Sequence, residues 1–420
     1  MSAGTLRDSA LFDSDVLTAR YRRHFGSGRA ALGRMIGDLA EVESSGAWIT
    51  VADGRRILDF GGYGVYLLGH RHPAVVEAVC DQVRRHPMAS RVFLDPVGAG
   101  AAAALAEITP GNLDLVHFVN SGAEATECAL KLARAQGRTA VITTRAGFHG
   151  KTLGALSVTA NGVLQRPFRP LLPHIMEVAF GDPAELEVAL RATGGHGCFI
   201  VEPVQGEGGV NVPPPGYLRD VADLCRRYGA LLVVDEVQTG LGRLGRWWGV
   251  DTDGVVPDMM LVGKGLSGGV MPIAAVVATP EAYAPFARDP YLHTSTFAGS
   301  PAACAAARAA IGVIRDEDLP ARAATLGDRL LTGVRTAVDR HGAGRVAQVR
   351  GRGLLLGLEM ASSGLVGELF LNLLERDVLA NHSLNAANVL RLTPPAIVTT
   401  DEVDLFLRAL GDALEDLTLT

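Results

Sequence analysis

The chain has 420 residues, a net charge of −6, 48% hydrophobic residues and 20% charged ones. That length exceeds one ordinary domain and predicts a large domain with a smaller one. The core-forming composition excludes a disordered chain, the mild acidity leaves no basic footprint for nucleic acid, and no apolar run reaches the roughly 18–20 residues of a membrane span.

Met1 to Arg23 has scattered aspartates and no continuous apolar core, so it does not read as a secretory signal. Cys80, Cys128, Cys198, Cys225 and Cys304 are far apart, odd in number and in no CxxC pair, which predicts reduced thiols in a cytoplasmic protein. Residues 47–60 alternate around Asp53-Gly54 and predict a β-hairpin. Residues 73–85 read as a helix with Pro73 near its start, and the alanine-rich stretch 98–108 as a helix that stops before Pro110. Short apolar runs follow at 115–119, 140–144, 198–202, 231–236, 259–263 and 274–279, with helical stretches such as 123–135 and 216–228 between several of them. Runs that are apolar at consecutive positions suit strands covered on both faces. Their alternation with helices predicts an α/β domain with a mostly parallel sheet. From about residue 304 the chain reads as helix, then short strands at 354–359 and 389–392, then a helix at 401–417.

Of the 39 basic residues only Lys131, Lys151 and Lys264 are lysines. Only a primary amine forms a Schiff base, so a position that keeps lysine in such a chain stands out. Lys264 ends an apolar run between two glycines, where partial desolvation lowers the pKa of an amine; the plainer reading is a lysine snorkelling from a strand end. Asn120-Ser121-Gly122-Ala123-Glu124-Ala125 follows one strand and opens a helix, which suits either an anion such as phosphate or an ordinary cap. Asp235 ends another strand, where a carboxylate could keep a pyridine nitrogen protonated, bind Mg²⁺ or cap a helix. Phe148-His149-Gly150 puts an aromatic ring in a loop, and Glu202 and Glu207 share a glycine-rich loop with no other sign of a sugar site.

In order and spacing, from about residue 45 to 400, these stretches resemble the class III aminotransferases of pyridoxal-phosphate (PLP) fold type I. The marks are Ser121-Gly122-Ala123-Glu124-Ala125, Phe148-His149-Gly150, Glu202-Pro203-Val204-Gln205-Gly206-Glu207, Asp235-Glu236-Val237-Gln238-Thr239-Gly240, Lys264 and Ser295-Thr296-Phe297. The resemblance implies an α/β fold. Residues 76–310 would form the large domain, with a seven-stranded type of sheet between helices, and 1–75 with 311–420 a smaller α+β domain. It implies pyridoxal 5'-phosphate as cofactor and no metal. Lys264 would be the Schiff-base lysine and proton shuttle. Asp235 would partner the pyridine nitrogen, Val237 and Phe148 the two ring faces, and Gln238 the 3-hydroxyl. Ser121, Gly122 and Ala123 would hold the phosphate with Thr296 of a neighbouring subunit, and His149 and Glu202 would complete the cofactor site. Arg391 would bind a substrate carboxylate, Glu207 would neutralise it when the substrate has none, and Tyr63 would join the substrate side. The partners implied are an amine donor and a 2-oxo acid in a homodimer with shared sites, or a tetramer of such dimers.

Within the family the chain resembles the putrescine enzymes in Gly61-Gly62-Tyr63-Gly64 through His72-Pro73, in Pro213-Pro214-Pro215-Gly216-Tyr217-Leu218, in Leu292-His293-Thr294-Ser295-Thr296-Phe297 and in Leu384-Asn385-Ala386-Ala387-Asn388. It departs from them at Ser267, Ala298, Ser300 and His382-Ser383. The expected reaction therefore moves the terminal amine of a diamine or ω-amino compound to 2-oxoglutarate, or aminates an aldehyde in reverse. Ornithine or acetylornithine transamination, an aminomutase and a decarboxylating aminotransferase are the alternatives within this chemistry, and a non-catalytic protein of the same fold, against which an intact Lys264 and Asp235 argue, is the alternative outside it.

Overall fold

The computed structural model describes residues 13–418; the first twelve residues of the stretch 1–23, expected not to be a secretory signal, lie outside the described residues. The chain begins its sheets with β1 (Glu41–Ser45), β2 (Trp48–Val51) and β3 (Arg56–Asp59). β2 and β3 form the expected hairpin, with Trp48 opposite Leu58 and Ile49 opposite Ile57. The helix Pro73–Arg85 follows, then Pro96–Ala106. The second begins two residues earlier than the alanine run because the Asp95 carboxylate accepts the N–H groups of Val97 and Gly98, both at 3.0 Å.

The central sheet comprises β4 (Leu115–Val119), β5 (Ala140–Thr144), β6 (Ile175–Val178), β7 (Gly197–Val201), β8 (Leu231–Asp235), β9 (Met259–Val262) and β10 (Ala274–Ala278). Its order is β4-β10-β9-β8-β7-β5-β6, and only β10 runs against the others. The strands β7 to β10 are buried at every position, which is why their sequences are apolar without alternation. Alternation survives in where they pack: Leu232 and Val234 join one hydrophobic cluster, Leu231 and Val233 the cluster on the other face. Each such side chain contributes roughly 1.5–3 kcal/mol by leaving water. β6 escaped the sequence reading because IMEV is short, half-buried and lies at the sheet edge.

The remaining strands are β11 (Val346–Arg352), β12 (Leu355–Met360), β13 (Val378–Leu379), β14 (Asn381–His382) and β15 (Val389–Leu392). β11-β12-β15-β14 form an antiparallel sheet. β13 instead pairs in parallel with β3, so chain from both ends closes one sheet. The last helix is Thr400–Glu415. Among the described residues no helix is long and apolar enough to cross a membrane.

Because β4, β5, β7, β8 and β9 are parallel, the loops that follow them leave from the same sheet edge. In open α/β sheets ligands bind at that edge. It carries Ser121, Phe148, Glu202, Asp235 and Lys264.

Candidate active site

Asp235 ends β8 and Glu236 follows it, the two side chains pointing to opposite sides as successive residues of an extended chain do. Glu236 turns into the protein, where its Oε1 accepts the Val250 N–H at 2.9 Å. The Asp235 Oδ1 accepts the Val237 N–H at 3.0 Å, and its Oδ2 lies 2.7 Å from His149 Nδ1. A carboxylate can only accept, so that nitrogen carries the proton. The His149 backbone is itself pinned, its N–H to Thr159 Oγ1 and its carbonyl to the Thr126 hydroxyl. Its Nε2 is buried with no partner among the described residues.

Glu202 lies close by. Its oxygens accept the N–H groups of Phe148 and Gly206, each at 3.1 Å. Burial pushes its carboxyl up to about 7; His149 and these N–H groups work against the rise, and the charge of Asp235 adds to it. Phe148 is half-buried, with the Lys151 ammonium 5.9 Å from its ring centre.

Lys264 stands just past β9 in the left-handed region, with φ 44°. For a residue with a side chain this costs on the order of 1–3 kcal/mol, and packing must enforce it. Burial drives its amine down to about 8; Glu207 most strongly opposes this, Arg391 reinforces it, and Asp235 and Glu202 oppose it further. One amine thus feels three carboxylates and a guanidinium that arrive on three separate segments: the loop of Glu202 and Glu207, the end of β8 and β15.

Close backbone approach shapes the rest. A Cβ on Gly122 would stand 2.9 Å from Val237 Cγ1, and one on Gly206 2.9 Å from Gln238 Cγ. Gly64, at φ 73°, lies against the Gln238 amide. Both polar atoms of that amide are buried without a partner among the described residues. The helix Gly122–Ala135 starts against Val237, and Ser121 Oγ accepts the Glu124 N–H at 3.3 Å. The Gly122 and Ala123 N–H groups belong to the first turn, which has no acceptors of its own.

Arg391, on β15, is fully buried, and its Nη1 lies 2.5 Å from Glu207 Oε1. That one close contact pairs the two charges, while Nε and Nη2 of the guanidinium have no partner among the described residues. Glu207 Oε2 accepts the Leu384 N–H at 2.9 Å, and Arg391 holds its carboxyl below the usual value against the effect of burial.

Two predicted site residues stand apart from this buried set. Tyr63 is exposed on the turn Gly62–Gly64. Thr296 is exposed on a loop whose carbonyls at Ser295, Thr296 and Ala298 accept from Arg91, and its hydroxyl has no partner among the described residues. Asn385, quoted in the sequence without a role, proves central. Its N–H donates to the Glu207 carbonyl at 2.9 Å, its amide nitrogen to Ala146 O and Gly147 O, and its amide oxygen accepts from Asn161.

The family model for class III aminotransferases matches residues 33–414. The chain belongs to the class III aminotransferases. Among solved structures it is similar to the ornithine aminotransferase of Toxoplasma gondii, at 33% identity over 96% of this chain and 95% of that one, TM-score 0.89. It is also similar to an (S)-enantioselective omega-transaminase of Thermomicrobium roseum, at 30% identity over 96% and 98%, TM-score 0.88. The acetylornithine aminotransferase of Elizabethkingia anophelis matches at 28% identity over 96% and 100%, TM-score 0.83. The T. gondii structure is described with partial occupancy of PLP at its active site. Class III aminotransferases depend on pyridoxal 5'-phosphate and exchange an amino group between an amine donor and a keto acid. The aminotransferase's buried Gln238 amide and His149 Nε2, both unpartnered among the described residues, and its glycine-walled cup fit that flat, phosphorylated, hydrogen-bonding group.

Proposed function

We propose that the enzyme moves the terminal amino group of a diamine or ω-amino compound to 2-oxoglutarate, or aminates an aldehyde in reverse. The observation that carries this reading is the buried Arg391–Glu207 pair. An arginine held by one carboxylate through a single nitrogen, with Nε and Nη2 left unpartnered among the described residues, can exchange that carboxylate for another. When the donor lacks an acidic group, Glu207 stays and neutralises the guanidinium. When a 2-oxo acid enters, its carboxylate takes the guanidinium fork.

PLP, when bound, supplies an electrophilic carbon and a ring that accepts electrons. In our reading Lys264 carries it, and an amine brought near 8 takes up and returns the substrate's proton close to neutral pH. Asp235 holds a proton at the pyridine nitrogen, and His149 keeps that carboxylate aimed. Val237 and Phe148 cover the two ring faces, while Glu202 braces the Phe148 backbone. Gln238 bonds the 3-hydroxyl; Ser121, Gly122 and Ala123 hold the phosphate at the helix start. Tyr63 lines the substrate entry.

The same reading makes the enzyme a cytoplasmic homodimer, with pairing of dimers as the next level. Phe93 and Leu94 are 79% and 99% exposed, and Tyr291 and Phe297 are exposed too. Arg91 ties the two segments together. An apolar surface of this kind marks an interaction site, and it brings Thr296 to the partner's phosphate.

The test is a panel of diamines and ω-amino acids offered with 2-oxoglutarate while glutamate formation is followed. Glutamate from putrescine or cadaverine supports the reading. Turnover only with donors that bear a carboxylate moves the enzyme to the ornithine or acetylornithine side. Release of CO₂, or product without any 2-oxo acid, identifies a decarboxylating aminotransferase or an aminomutase.

A further inference from the structure

Ser383 adjoins both members of the Arg391–Glu207 pair. Asn381 and His382 pair with Arg391 and Leu390 across β14 and β15, and the Ser383 N–H continues the ladder to Val389 O at 3.0 Å. Opposed residues in an antiparallel pair share a face, and neighbours along a strand alternate. Asn381 and Ser383 therefore share the face of Arg391 and Val389, while His382 takes the other. Burial agrees: Ser383 is 1% exposed and His382 is exposed. Diagonal neighbours such as Ser383 and Arg391 lie about 7–8 Å apart, within reach of a long side chain. Glu207 approaches from the other direction, since its Oε2 accepts the N–H of the very next residue, Leu384.

The Ser383 Oγ is buried and has no hydrogen-bond partner among the described residues. Leaving a hydroxyl in that state costs stability. Relaxation of the loop does not relieve it, because Asn385 is bonded at its N–H, its amide nitrogen and its amide oxygen. We propose that the Ser383 hydroxyl is a specificity-determining contact that donates a hydrogen bond to the substrate carboxylate held by Arg391. A carboxylate offers about four lone-pair sites. The guanidinium fork occupies two, which leaves room for a hydroxyl donor. A distal ammonium would gain nothing here, as the same site presents it to a guanidinium. Ser383 thus favours the acid over the diamine and tips the pocket toward one of its two occupants.

The proposal rests on the reading of Arg391 given above, and the experiment separates the two. Holoenzyme variants Ser383→Ala and Arg391→Ala are compared in the separate half-reactions with 2-oxoglutarate and with putrescine, and in thermal unfolding. Ser383→Ala is expected to raise the half-saturating 2-oxoglutarate concentration about ten- to hundredfold while the limiting rate holds. The putrescine half-reaction should stay within twofold. The Tm should not fall, because an unsatisfied buried hydroxyl has been removed. Ser383→Cys, nearly the same size but a much weaker donor, should give an intermediate loss. If Arg391→Ala weakens 2-oxoglutarate and Ser383→Ala does not, the Ser383 contact is wrong and the Arg391 reading stands. If neither variant responds, both fall. A lower Tm with both half-reactions impaired alike assigns Ser383 to packing and overturns the proposal, as does a cysteine variant indistinguishable from wild type.

Discussion

Replacing Lys264 by methionine should abolish transamination and, in protein stripped of cofactor, make the fold more stable. The amine is lowered from 10.5 to about 8, chiefly by burial. At about 1.4 kcal/mol per pKa unit, that corresponds to roughly 3 kcal/mol for holding the charge in the folded chain. Lys264 keeps part of its surface open to water, so roughly 3 kcal/mol is a ceiling and about 1–3 kcal/mol the expected range. Methionine has similar length and the same Cβ, so the left-handed backbone strain cancels between the two proteins. The pH dependence follows from which state binds more protons. Below about pH 8 folded and unfolded chains both carry the charge, and the folded one bears its full cost. Between about 8 and 10.5 the folded chain loses its proton first, the unfolded chain binds more, and wild-type stability rises with pH. Above 10.5 both are neutral and the cost is gone. Urea unfolding of both apoproteins at pH 7 and pH 10 measures this. The methionine variant should lead by about 1–3 kcal/mol at pH 7 and by less than about 1 kcal/mol at pH 10. Equal stability at pH 7, or a gain that ignores pH, would refute the argument that the amine is held against its charge.

Three further outcomes are expected. Arg391→Ala should leave spectral change on adding putrescine nearly intact and slow the 2-oxoglutarate half-reaction by about 2–5 kcal/mol of lost binding, while Glu207→Ala should weaken the diamine instead; stopped-flow traces in which Arg391→Ala harms both halves equally would point to a donor with a carboxylate. Asp235→Asn should retain PLP yet lose most turnover, because an amide cannot hold the pyridine proton as a carboxylate does; near-normal kcat in that variant removes Asp235 from its role. A mixed dimer of one Lys264→Ala chain and one Thr296→Ala chain should keep about half the activity with normal PLP retention if Thr296 serves the partner's site; weak retention at the surviving site shows that it serves its own.

The central sheet was legible because burial on both faces leaves a plain mark: LLVV before Asp235 and MMLV before Lys264 admit no polar position. The ends of those strands were legible too, since Asp235 and Lys264 break apolar runs with groups that strands of that kind do not otherwise carry. Contacts made at a distance left no such mark. The pairing of β13 with β3 involves two residues, too few for a pattern. The closeness of Gly64 and Gly206 to the Gln238 amide depends on how three loops fold over one another. The satisfied asparagine at 385 and the unsatisfied serine at 383 differ only in their surroundings, which local sequence does not encode.

The joining of β3 to β13 also bears on how the chain is born. Leu58 and Phe60 take their hydrogen-bond partners from Asp377 and Leu379. Ile49, Val51 and Ile57 pack against Leu374. Synthesis runs from the N-terminus, and domains usually fold as they emerge. Here the first strands leave the ribosome more than 300 residues before the segment that completes their sheet. Loops of that span close slowly. The pairing of β3 is therefore completed only once residues 377–379 have been made, after every strand of the central sheet.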